Sequence, residues 1–184
     1  MLQRLTKSCL LVAFFCAPRT YGASYSVLSS AGLMQQPTSH YYHFVYGGSG
    51  QAEFFEQKFL VRGSYLQRPK FEEAGFVDQD SGAFAFVGSQ IAGNKIFGVT
   101  ALIGGGRING YIRATDEYYS SEDAPERSYS ISGLSTALEA SARWGSLHVA
   151  VNHQTFVGYV DREQLNAYVG WPYNFFLVNV GFTL

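Results

Sequence analysis

Three residues in the C-terminal part of the chain have the makings of a nucleophilic hydrolase: His153, Thr155 and Glu163. An imidazole can take the proton of a hydroxyl, a carboxylate can orient the imidazole, and the hydroxyl oxygen can then attack an acyl carbon. His153 and Thr155 are two positions apart, so on a β-strand they leave from one face. A second set is charged: Lys58, Arg62, Arg107, Arg113 and Glu139 all lie in segments with strand patterning. Charges removed from water need partners, so the bland expectation for this set is an interior network of ion pairs and hydrogen bonds. The sharper one is a narrow polar path or a small-ligand site. Metal chemistry lacks the spacing it needs, because His40 and His43 are three apart and face opposite sides of a strand. Segment 104–110, GGGRING, lacks the lysine and the following helix of a phosphate loop. No metal and no cofactor is expected.

The elements that position these residues have a period of two. Phe176, Val178, Val180, Phe182 and Leu184 form one face of the last segment; Leu177, Asn179, Gly181 and Thr183 form the other. Leu147, Val149 and Val151 oppose Ser146, His148, Ala150 and Asn152. Phe59, Val61 and Tyr65 oppose Lys58, Arg62 and Ser64, and Phe97, Val99, Ala101 and Ile103 share a face. Such alternation suits a soluble sheet with an apolar core, or a transmembrane barrel with its apolar face in lipid. Strands of ten residues or more, with aromatic residues at their ends, favour the barrel. The expected girdle is Tyr41, Tyr42, Phe44, Tyr118, Tyr119, Trp171 and Tyr173. His153 and Thr155 share the parity of Val149 and Val151 and are expected to look toward lipid.

Loop lengths set the strand count, since barrels of this kind have short turns at one end and longer loops at the other. The expected strands are 24–33, 40–47, 52–66, 82–91, 95–116, 128–142, 146–160 and 163–184. Gly47-Gly48-Ser49-Gly50 reads as a tight turn, and 67–81 and 117–127 as long outer loops. Pro172 calls for a bulge at 171–174, or else a hairpin there; Gly104-Gly105-Gly106 is a bend or a second turn, and splitting both segments gives ten strands.

The first residues carry Arg4 and Lys7, an apolar run from Cys9 to Ala17, then Pro18 and small residues up to Gly22. That is the pattern of a cleaved secretory signal peptide over 1–22, too short to span a bilayer. Its loss removes Cys9 and Cys16 and three of the 13 cations but none of the 14 acids, leaving 10 against 14 and a net charge of -4. A basic nucleic-acid surface is excluded by this balance.

The last strand, Phe176 to Leu184, resembles the C-terminal signal of bacterial outer-membrane β-barrels, with leucine where the usual final residue is aromatic. The resemblance implies recognition by the outer-membrane assembly machinery through Phe176, Val178, Val180, Phe182 and Leu184. The pair His153-x-Thr155 with Glu163 is similar to lipid A 3-O-deacylase, an eight-stranded barrel of the same membrane that cleaves an acyl ester with a His-x-Ser pair and a glutamate. Here threonine replaces the serine, and Phe156 the asparagine that follows it. The expectation is an all-β, single-domain, antiparallel up-and-down transmembrane barrel over 23–184. It would be a monomer in the outer membrane of a Gram-negative envelope, in contact with lipid and lipopolysaccharide. The favoured role is structural or surface-interacting, with a side-chain-filled interior. The alternatives are a lipid A acyl-ester hydrolase, a narrow porin-like pore for small solutes, and a soluble periplasmic barrel. The acidic loop 116–127 is expected to be a solvated loop, with attraction of cations or of an adhesion partner as the alternative.

Overall fold

The fold is that of a computed structural model, which describes residues 23–36, 41–55, 58–73, 76–114, 126–160 and 172–184. Nine strand segments follow in order: β1 (Ser24–Gln35), β2 (Tyr42–Phe54), β3 (Phe59–Gln67), β4 (Phe71–Glu73), β5 (Phe76–Gly93), β6 (Phe97–Ala114), β7 (Glu126–Trp144), β8 (Leu147–Val160) and β9 (Tyr173–Thr183). Every pairing is antiparallel. Both β3 and β4 pair with β5, Gln67 opposite Ser81 and Phe71 opposite Asp78, so β4 is the outer continuation of β3. The ring closes where β1 pairs with β9, Val27 opposite Phe182. The result is a closed eight-stranded barrel with no free sheet edge.

Alternation decides what each face meets. Val27, Phe44, Val61, Val87, Ile103, Leu138, Val151 and Val178 are exposed on the outside, while Ser26, Gln51, Arg62, Thr100, Glu139, Asn152 and Asn179 are buried inside. This inverts a soluble protein and matches a wall solvated by lipid.

The short connections between Phe54 and Phe59, at 94–96 and at 145–146 lie at one end, together with residues 23 and 184. Gly145 takes a left-handed φ of 61°, which glycine adopts without a Cβ penalty. In the turn before β6, the Asn94 Oδ1 accepts from the backbone N–H groups of Ile96 and Phe97 at 2.8 and 2.9 Å.

Several expected boundaries move. Gly47-Gly48-Ser49-Gly50 lies inside β2, which runs on to Phe54. A Cβ on Gly47 would run into the Tyr65 carbonyl, so that glycine serves close strand approach. Much of 67–81 is paired sheet, because β3–β4 and β5 continue past the expected loop. Gly104-Gly105-Gly106 stays within β6 and makes no turn. Tyr173 and Asn174 pair with Phe156 and Thr155, so no hairpin forms at 171–174 and the ten-strand alternative is excluded. The last strand begins at Tyr173; residues 163–171, expected to belong to it, lie outside the described residues.

Candidate functional site

The barrel interior is filled in three tiers. The tier near the short turns is ionic. Arg62 donates Nη1–H to Glu139 Oε2 at 2.6 Å and Nη2–H to Glu139 Oε1 at 2.7 Å, a two-pronged pair fixed by the planar guanidinium. Its Nε and Nη2 also donate to Gln51 Oε1 at 2.9 and 2.6 Å. Gln51 Nε2 donates to Glu53 Oε1 at 2.6 Å, and Glu53 is gripped in turn by both terminal nitrogens of Arg143. Asn152 Nδ2 reaches Glu139 at 3.5 Å, and Ser24 donates to Glu53 at 3.3 Å. Two guanidinium groups thus balance two carboxylates, which is what makes burial of four charges tolerable. His148 is fully buried in the same tier, and neither of its ring nitrogens has a hydrogen-bond partner among the described residues.

The middle tier is apolar. Phe84 meets Phe156 and Phe175 edge to face at centroid distances of 5.6 and 5.7 Å. Leu66, Phe86, Ile108, Ile131 and Leu177 belong to the same cluster. Gly106 makes room for it, since a Cβ there would enter the Phe84 ring. The tier at the far mouth is polar again. Arg68 pairs with Asp78 at 2.5 Å and Asp80 at 3.1 Å; Gln36 Nε2 and the Tyr129 hydroxyl donate to Asp80.

Of the expected interior set, Arg62 and Glu139 come together. Lys58 stands exposed in the β2–β3 turn, outside the network. Arg107 is corrected outright: it shares the parity of Phe97 and Ile103, faces outward, and donates Nε–H to Ser130 Oγ on the outer surface. The side chain of Arg113 lies outside the described ones. Gln51, Glu53, Arg143 and the Arg68–Asp80 mouth cluster were not singled out. Glu53 and Arg143 sat beside apparent turns, while Asp78 and Asp80 read as loop charges.

His153 and Thr155 do share the outward face, but no hydrogen bond joins them. The His153 ring stacks on Phe176 at 4.6 Å, and the Thr155 hydroxyl donates to Asn174 Oδ1 at 3.2 Å. Glu163 lies outside the described residues. Tyr41, Tyr42 and Phe44 are exposed at the end opposite the short turns. Tyr173 is corrected: it is 5% exposed, points inward and packs against Phe156. Tyr118, Tyr119 and Trp171 lie outside the described residues. At the turn end Phe55, Phe97 and Trp144 are also exposed, with Phe97 edge-on to Trp144 at 6.3 Å. Phe176, Val178, Val180, Phe182 and Leu184 all face outward along β9 and its end.

An apolar outer wall around a core of paired charges, closed by eight antiparallel strands, defines an outer-membrane type of β-barrel protein. Solved structures agree on the fold. The attachment invasion locus protein Ail of Yersinia pestis, solved in complex with the heparin analogue sucrose octasulfate, aligns over 88% of this chain and 97% of its own, with a TM-score of 0.58 and 14% identity. A major outer membrane protein of Thermus thermophilus aligns over 89% and 100%, with a TM-score of 0.60 and 10% identity. Neisserial surface protein A aligns over 88% and 96%, with a TM-score of 0.54 and 8% identity. No protein-family model matches the sequence, and no curated protein matches it either.

Proposed function

We propose that this chain is a non-enzymatic surface protein of the bacterial outer membrane, exported by a signal peptide over 1–22 and inserted as a monomer by the assembly machinery that reads β9. Its barrel is a rigid, plugged support, and its contacts with other molecules are made by the wall and the outer loops. The carrying observation is the filled interior: an ionic tier, an aromatic tier and a second ionic tier succeed one another along the axis. An eight-stranded barrel is just wide enough to be filled this way. The test combines cell fractionation, a gel shift on heating and planar-bilayer recording. Membrane-bound, heat-shifting protein without channel events supports the proposal. Protein found only in the soluble fraction, or steady conductance, defeats it.

The shared outward face of His153 and Thr155 favours a second reading, an acyl-ester hydrolase with His153 as base, Thr155 as nucleophile and Glu163 as orienting acid. The engagement of Thr155 with Asn174 and of His153 with Phe176 argues against it. Mass spectrometry of lipid A incubated with the folded barrel decides between the two: release of 3-hydroxy fatty acid is the hydrolase outcome.

A further inference from the structure

The outer mouth of the barrel is tied together at one carboxylate. Asp80 on β5 is 3% exposed and takes donors from both sides of its strand. Gln36, just past β1, donates Nε2–H to Oδ2 at 2.7 Å, and the Tyr129 hydroxyl on β7 donates to Oδ1. Arg68, between β3 and β4, sets its Nη2 3.1 Å from Asp80 Oδ2 and 2.5 Å from Asp78 Oδ2. Its backbone N–H donates to the Asp80 carbonyl at 2.9 Å. β6 lies between Tyr129 and Asp80, and the bond crosses it at Gly110, which stands opposite both residues. A Cβ at Gly110 would run into the Tyr129 ring and the Asp80 carboxylate, so a missing side chain makes the crossing possible.

A strand rises about 3.3 Å per residue, and a tilt of about 40° leaves roughly 2.5 Å along the barrel axis. Asp80 is thirteen positions beyond Gly93 at the turn end, or roughly 30 Å up, above an apolar belt about 25 Å tall. The cluster is thus outside lipid, yet withdrawn from water. Two carboxylates there face one guanidinium, which leaves one negative charge without a counter-charge. Taking up a proton relieves such a charge. Burial raises the Asp80 carboxyl above the ordinary carboxylate range, against the pull of Arg68 and of the Tyr129 hydrogen bond. Burial and the Asp80 charge push the Tyr129 phenol up, so it remains a donor. Tyr173 on β9 also feels Asp80, and His43 on β2 shares the inward parity of Val45. Lys70 is exposed; the side chains of Glu73, Arg113 and Arg127 lie outside the described ones.

We propose that Asp80 is a proton switch built into the outer rim. Ionised, it holds the ends of β1 and β7 and the joint between β3 and β4 through charge-assisted bonds. Protonated, it cedes Arg68 to Asp78, and its bonds to Tyr129 and Gln36 fall to those of a neutral acceptor, roughly half as strong. The rim is stiff at neutral pH and loosens in mild acid. The linkage has a definite sign: a carboxyl raised by folding favours the folded barrel at low pH, and that contribution is lost as pH rises through the raised value. Loosening is therefore a local change of the rim and not the onset of unfolding. This goes beyond the reading of the barrel as a passive support.

The barrel is refolded into nanodiscs, and the folding of each variant is confirmed by the gel shift on heating. A spin label on Ser128→Cys, exposed beside Tyr129, reads motion of the rim, and one on Ser146→Cys at the opposite end is the control. The carboxyl carbons of 13C-aspartate barrels are titrated by NMR, with Asp80 assigned through the backbone. Asp80 is expected to titrate above the ordinary value of about 4, and higher still in Tyr129→Phe, where the charged form has lost a donor. The label at 128 is expected to gain mobility with the same midpoint, and the label at 146 to be unaffected. Asp80→Asn and Tyr129→Phe are expected to leave the label at 128 mobile at every pH, and His43→Gln to keep the wild-type transition. An Asp80 that titrates at or below about 4 overturns the proposal, as does a label at 128 whose mobility ignores pH. So does a transition that persists in Asp80→Asn, is abolished by His43→Gln or is matched at 146. An Asp80→Asn barrel whose label is as still as that of neutral wild type also overturns it.

Discussion

Replacing Arg62 with leucine strips Glu139 of its counter-charge inside a barrel where both residues are almost fully buried, at 3% and 2% exposure. Glu139 loses hydrogen bonds at 2.6 and 2.7 Å and keeps only Asn152 at 3.5 Å. Stranding one partner of such a pair costs about 3–5 kcal/mol. At about 1.4 kcal/mol per factor of ten, the folding equilibrium falls by roughly two to four powers of ten. Arg62→Leu/Glu139→Leu removes both charges together. What then remains unmet is Gln51 Oε1, which accepted two of the Arg62 donors, at about 1–3 kcal/mol, together with the weak 3.5 Å bond of Asn152 Nδ2. The double variant is therefore expected to be more stable than Arg62→Leu alone, although it carries one more substitution. The assay is urea titration of the barrel refolded in lipid vesicles, with the folded fraction read from the gel shift on heating. A double variant less stable than the single, or a single variant within about 1 kcal/mol of wild type, would refute the interior ion pair as a unit.

Adjacent glycines of β6 should respond oppositely to valine. Gly106→Val puts a Cβ into the Phe84 ring and is expected to lower the refolding yield severely, whereas Gly105→Val faces outward, meets only the Gly133 carbonyl at 3.2 Å and is expected to fold, both checked by the gel shift. Phe182 is exposed on the outer face, so Phe182→Ser should refold in vitro with near-native yield but reach the outer membrane several-fold less in cells, measured by blotting membrane fractions. Lipid A incubated with the native barrel should keep its full set of acyl chains in mass spectra; acyl loss that Thr155→Val abolishes would instead establish the hydrolase.

Legibility in the sequence followed the strength of alternation. β8 and β9 keep a strict period of two, and their outward sets from Leu147 to Thr155 and from Phe176 to Leu184 were readable directly. β2 was cut short because Gly47 to Gly50 have the composition of a turn, although one-dimensional spacing cannot reveal that Gly47 faces the Tyr65 carbonyl. Residues 67–81 read as loop on the rule of loop lengths; Arg68 instead forms ion pairs with Asp78 and Asp80 at the mouth. Arg107 was misplaced although its parity matches Phe97, Val99, Ala101 and Ile103, because three glycines intervene and carry no side chain to mark the phase. The links from Arg62 to Glu139 and from Glu53 to Arg143 join strands far apart in sequence, so only the closed ring brings them together.

The central claim is that one face of each strand meets lipid. Residues 23–184 contain no cysteine, so single cysteines can be placed and spin-labelled cleanly. Labels at Val149, Val151, Val178 and Val180, in barrels reconstituted into vesicles, test it most directly. The account predicts high collision rates with membrane-soluble oxygen and low rates with a water-soluble nickel chelate at all four sites. High nickel accessibility at those positions would contradict it.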